Sequence, residues 1–77
     1  MNDISNVLSI NQNKTMDFYE AIKNVLSGKK IHKLEWQDRQ FYGLIDNETL
    51  KLHKPDGKLY QWIVNVADIS GNDWIIL

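Results

Sequence analysis

Between residues 17 and 30 the apolar side chains Phe18, Ala21, Ile22, Val25 and Leu26 recur at a spacing of three and four, while Glu20, Lys23 and Asn24 fall between them. That period puts the first set on one face of a helix and the second on the other. Asp17 supplies an oxygen for the unpaired amides of the first turn, with Glu20 three residues on completing a capping-box pattern. Gly28 offers the left-handed residue that ends helices, and Lys29 and Lys30 stand where the negative end of the helix dipole favours cations. A start, a stop and a buried face thus agree on one short amphipathic helix.

Downstream the period changes. Lys30 to Trp36 reads as a strand whose apolar positions Ile31, Leu34 and Trp36 skip one residue, which predicts a bulge. Gln37 to Gln40 is a polar turn, Phe41 to Asp46 a second strand, and Asn47 and Glu48 a reversal. Leu50 and Leu52 then alternate with Lys51 and His53, the period-two pattern of a half-buried strand. Pro55, Asp56 and Gly57 mark a hairpin tip before a fourth strand over Lys58 to Ile63. Asn65 is placed to cap one helical turn over Val66 to Ile69, Gly71 and Asn72 reverse the chain, and Trp74 to Leu77 is an apolar strand that has to be buried. The expected class is α+β: one short N-terminal helix packed on a curved, mostly antiparallel sheet of about five strands, counted from the periodic segments. Residues 1–15, rich in Asn, Ser and Gln, read as a flexible tail or as an extra edge strand over Val7 to Ile10. The folded unit is expected over residues 16–77.

Length and charge narrow the possibilities. A 77-residue chain buries only roughly 60% of the surface its unfolded form exposes. Chains this small usually need disulfides, a metal or oligomerisation, and with no cysteine the first and thiolate metal sites are excluded. Oligomerisation remains as the expected supplement. Nine basic and ten acidic residues scattered along the chain leave no broad positive surface for DNA or RNA. No apolar run approaches the roughly 20 residues of a membrane span and no signal-peptide pattern opens the chain, so an intracellular location is expected. Three Trp, three Tyr and two Phe exceed what so small a core hides with ease, so some of these rings are expected at a pocket or an interface.

Catalysis needs a nucleophile or base with an orienting partner, and the candidates are scattered. His32 and His53 each share a strand side with lysines, which predicts a solvated face. No His and acidic residues stand at metal-ligand spacing. Asp68 is expected to tie down amides at the last helical turn and Asp73 to hold the turn before the last strand. The four glycines stand singly, so no phosphate-binding loop is formed. Trp36 precedes a polar turn carrying the only arginine, Arg39. That pairing suits stacking on a base and gripping a phosphate, and equally a Trp capping the core beside a solvated Arg. Trp62 and Trp74 read first as core or interface residues.

Two end motifs carry a family pattern. Asp17 to Lys30 followed by Trp36, and the closing run from Trp62 through Asn65, Asp68 and Ile69 to Asp73 and Trp74, resemble the small phage family of Thoeris anti-defence type II proteins. The resemblance spans Met16 to Leu77. It implies a homotetramer in the host cytoplasm that sequesters a cyclic nucleotide messenger, of the cyclic ADP-ribose type or a cyclic dinucleotide, without acting as an enzyme and without a cofactor. On that basis Trp36, Arg39, Trp62, Asn65 and Asp68 are the expected ligand-binding residues, with Trp36 stacking on a base, Arg39 near phosphates, and Asn65 and Asp68 hydrogen-bonding ribose or base. The alternative is a protein-binding inhibitor module in which the same aromatics block a bacterial defence effector.

Overall fold

The computed structural model describes residues 14–77, so the expected tail or edge strand over Val7 to Ile10 lies outside the described residues. Helix α1 (Phe18–Leu26) leads into strands β1 (Ile31–Lys33), β2 (Tyr42–Asp46), β3 (Thr49–His53) and β4 (Leu59–Gln61), then the one-turn helix α2 (Val66–Ile69) and β5 (Trp74–Ile76). The strands form one open sheet in the order β4-β3-β2-β1-β5, every neighbouring pair antiparallel. The α+β expectation therefore holds.

Helix α1 starts as its sequence indicates. Asp17 Oδ1 accepts from the Glu20 amide at 2.9 Å. The reciprocal half of the capping box is not formed, because the Glu20 carboxylate turns to Lys23 Nζ at 3.4 Å. Ala21 and Val25 are fully buried and Phe18 and Ile22 partly so, whereas Leu26, expected on the same face, is 68% exposed. It lies in the last turn, beyond the reach of the sheet. Gly28 has φ +96° and its amide donates to Val25 O at 2.9 Å, so the helix does end on a left-handed glycine.

Strand β1 is shorter than the alternation suggested. The skipped residue marks an end, not a bulge: the chain turns at Leu34 and Glu35, and the Trp36 amide closes that turn on Lys33 O at 2.8 Å. The β2–β3 hairpin turns on Asn47 and Glu48, both with positive φ (55° and 64°), the two-residue geometry that matches strand twist. Pro55 to Gly57 form the second hairpin tip, with Gly57 at φ +83° and its amide bonded to Lys54 O at 2.8 Å. At β5 the sheet is extended by a backbone bridge between Met16 and Trp74, with bonds of 2.8 and 3.2 Å.

The core lies between α1 and the sheet face bearing Ile31, Gly43, Ile45, Leu50, Leu52 and Trp74. Gly43 is needed there by close approach: a Cβ on it would run into the Trp62 ring, which lies across the strand. The opposite alternation of β1 carries His32, expected to be solvated. It is only 2% exposed, its ring standing 6.1 Å from Trp36 and its Nδ1 2.8 Å from the Phe41 carbonyl of the following loop. Lys33 is buried too, its ammonium bonded to Asp73 Oδ1 at 2.8 Å and Glu35 Oε1 at 2.9 Å. Asp73 therefore does more than hold the local turn, since its second oxygen accepts from the Glu35 amide at 3.0 Å and ties β5 to the end of β1.

The Asp73 hydrogen bond lifts Lys33 above the ordinary lysine value against the opposing effect of burial. Burial pushes the Asp73 carboxyl up, but the bonds from Lys33 and the Glu35 amide outweigh it and hold the group below the ordinary carboxylate value of 3.8. A carboxyl with a lowered folded value adds stability above its unfolded value and loses it as pH falls through the folded one. The urea midpoint is therefore expected to fall once the pH drops below about 4, with Asp73→Asn flattening that acid limb. Parallel acid curves for the two proteins would show that the pair is not linked to folding. At the helix stop, Gly28→Val should cost about 1 kcal/mol or more in denaturant unfolding, the penalty for a branched residue in left-handed backbone. A Cβ there meets nothing within 4 Å, so an unchanged midpoint would remove the conformational argument.

Candidate functional site

Past the single pair Ile31↔Gly43, strands β1 and β2 separate, and the loop from Leu34 to Phe41 spans the opening. Trp36 fills it. Its ring stacks on Phe41 (centroids 4.3 Å apart, planes at 12°) and stands edge-on to Trp74 at 5.2 Å, Trp62 at 6.4 Å and His32 at 6.1 Å. Phe18 closes the cluster from α1, 6.0 Å from Trp62 and 5.5 Å from Trp74. Edge-to-face and offset contacts of this kind add roughly 0.5–1.5 kcal/mol each beyond the area they bury. Trp36 is thus a half-buried member of the core cluster, with one ring face already taken by Phe41.

Two of the indole N–H groups converge on one residue. Trp62 Nε1 donates to Asp68 Oδ2 at 3.2 Å, and Trp74 Nε1 donates to the Asp68 carbonyl at 3.2 Å. The same Oδ2 accepts from the Asn65 amide at 3.1 Å, while Asn65 Oδ1 accepts from the Asp68 amide at 2.9 Å, a complete capping box for α2. Asp68 is 7% exposed, and among the described residues its Oδ1 has no hydrogen-bond partner. Asn65 is exposed and its amide nitrogen likewise has none among the described residues.

Four of the five residues expected to bind ligand are therefore linked: Trp36 lies against Trp62, Trp62 is held by Asp68, and Asp68 is locked to Asn65. Arg39 stands apart, exposed at the tip of the loop, with no ion-pair partner among the described residues. Its turn is ordered by Asp38, whose Oδ1 accepts from the Gln40 amide at 2.8 Å and whose carbonyl accepts from the Phe41 amide at 2.9 Å. Phe41 and His32 join the cluster without having been expected there. An aromatic directly after a polar turn was the only signal for Phe41.

A separate open cleft of about 560 Å³ lies between the start of α1 and the end of α2, lined by Phe18, Tyr19, Ile22 and Ile69 with Asp17, Ser70 and Asn72 at its polar edge. Tyr19 on α1, Val66 and Ile69 on α2, and Ile63 in the connection before α2 are well exposed. Among the described residues no group of acidic residues, His and Cys is arranged to hold a metal ion, and no helix is long and apolar enough to cross a membrane.

Asp68→Ala should leave the buried Trp62 indole and the Asn65 amide without an acceptor. The expected loss is about 1–3 kcal/mol of unfolding free energy, the range for orphaning a buried donor, with a red-shifted tryptophan emission. An unchanged midpoint would show that the indole bonds carry no stability.

No curated protein matches the chain. A family model does match, over residues 16–77: Tad2-like, the Thoeris anti-defense 2-like domain. The match starts at the residue that bridges to Trp74 and takes in both helices, all five strands and the linked Trp36–Trp62–Asp68–Asn65 set. The chain belongs to the Thoeris anti-defense 2-like family.

Proposed function

We propose that this protein is an anti-defence sponge that binds a cyclic nucleotide immune messenger, of the cyclic ADP-ribose type or a cyclic dinucleotide, and sequesters it in the host cytoplasm without cleaving it. The observation that carries the reading is the linked set of Trp36, Trp62, Asp68 and Asn65, in which Asp68 Oδ1 and the Asn65 amide nitrogen have no hydrogen-bond partner among the described residues. Asp68 Oδ1 accepts from a ribose hydroxyl, the Asn65 amide nitrogen donates to a base or ribose oxygen, and the Arg39 guanidinium meets phosphate. Trp36, only partly buried, supplies the apolar surface, with the buried Trp62 behind it. Because Phe41 covers one face of Trp36, a base stacks on its outer face or edge and is not sandwiched.

A sponge has to out-compete an effector, which calls for binding near nanomolar, about −12 kcal/mol. For a diphosphate that demands enclosure as well as contacts. One protomer leaves Trp36 partly exposed, and enclosure comes from neighbouring copies in a homotetramer, for which the exposed Tyr19, Ile63, Val66 and Ile69 provide apolar surface.

The same exposed apolar side chains favour the second reading, a module that blocks a defence effector by protein contact. Calorimetry with cyclic ADP-ribose isomers and cyclic dinucleotides separates the two: the sponge gives heat, and chromatography recovers the intact ligand after heating. Arg39→Ala should weaken binding by about 1.5–3 kcal/mol, the range for a hydrogen bond to a charged group, with no change in unfolding midpoint because the residue is exposed. Hydrolysed product would make the protein an enzyme, and no heat with any nucleotide would favour the blocking module.

A further inference from the structure

The polar loop that carries Trp36 and Arg39 re-enters the sheet through two consecutive peptide carbonyls, and each is held by a histidine. Phe41 O lies 2.8 Å from His32 Nδ1, and Gln40 O lies 2.6 Å from His53 Nδ1. His32 belongs to β1 and His53 to β3, the two strands that flank β2. A carbonyl only accepts, so both rings must carry their proton on Nδ1, which fixes one tautomer at each site. Both rings are themselves immobilised. His32 is buried and stands edge-on to Trp36, while His53 lies flat on Tyr42, centroids 4.4 Å apart and planes at 6°, with Lys30 Nζ 5.0 Å from the Tyr42 centroid.

The positions matter because backbone pairing is lacking there. On its β3 side β2 is zipped by five residue pairs, but on its β1 side by Ile31↔Gly43 alone. Where a backbone bond from β1 would otherwise hold Phe41, the His32 side chain reaches across the opening. His53 does the same one residue earlier from the opposite side, beyond the last β2–β3 pair, Tyr42↔His53.

The geometry points to His32 and His53 as positioning residues that clamp the 36–41 arm in one conformation, so that Trp36 and Arg39 meet a ligand already placed. The clamp rests on the sponge reading for its purpose, but not for its existence. Its benefit is preorganisation: a ligand meeting a fixed arm loses less binding free energy to ordering six residues.

His53 is the residue to test, being less buried than His32. His53→Phe keeps a flat ring on Tyr42 and deletes the donor; His53→Asn deletes the ring and keeps a side-chain N–H near the Nδ1 position. The expected result is a roughly three- to tenfold weaker calorimetric affinity for the nucleotide that wild type binds in His53→Phe, seen as faster dissociation, with recovery in His53→Asn. Hydrogen exchange at the Gln40 and Phe41 amides should accelerate in His53→Phe only, while the α1 amides keep wild-type rates. Wild-type affinity and loop exchange in His53→Phe, or equal losses in both variants, would overturn the clamp. If wild type binds no nucleotide, the sponge reading falls, and the exchange rates alone decide the clamp. His32→Asn is the companion variant, expected to keep the Phe41 amide slow where His32→Phe does not.

Discussion

Asp68 is the residue on which the rest of the molecule depends. A buried carboxylate oxygen is unfavourable unless it is bonded, and Oδ2 of this 7%-exposed residue takes two of the groups that most need acceptors: a buried indole N–H and a helix-cap amide. Its carbonyl takes the second indole. One residue of a four-residue helix thereby fixes the orientation of Trp62 and Trp74, the two largest side chains of the core. Trp62 in turn requires a glycine beneath it, at position 43, and Trp36 packs edge-on against both. The helix, the sheet and the loop meet through that set of rings.

What was legible in the sequence were the features that local chemistry decides. Asp17 and Gly28 bound a helix through backbone amides and one left-handed residue, Asn65 caps a turn three residues before Asp68, and Pro55 to Gly57 close a hairpin. None of these needs a distant partner. The burial of His32 and Lys33 was not legible, because it depends on the loop folding back, with Trp36 and the Phe41 carbonyl against His32 and Glu35 and the distant Asp73 on Lys33, and a three-residue strand carries too few positions to report a face. The skipped apolar residue near Leu34 looked like a bulge for a related reason. A strand that stops and a strand that bulges break the period in the same way, and only the Trp36 amide turning back on Lys33 O tells them apart. Of the candidate site, the types of residue were readable, but not that Trp36 would be shared between core and surface, nor that Phe41 would cover one side of it.

Family membership and geometry constrain the protein differently. The Thoeris anti-defense 2-like match fixes the lineage. The structure adds a gradation among the aromatics: Trp62 and Trp74 are buried in the core, while Phe18 and Trp36 pack against it and stay partly exposed. Arg39, exposed on the loop between Trp36 and Phe41, makes no ion pair with that set among the described residues.

The uneven zipping of the sheet also bears on how the chain assembles. Strands β2, β3 and β4 form a meander joined by short turns, so their pairing closes small loops, whereas β1 must wait for β5, from the far end of the described chain, before it gains the register Ile31↔Ile76 to Lys33↔Trp74. Loop-closure entropy places the meander early and the β1–β5 seam late. The transition state for folding then holds the hairpins formed and the tryptophan cluster open. Changes in β3 act on the rate of folding, and changes around Asp68 and Trp74 act on the rate of unfolding.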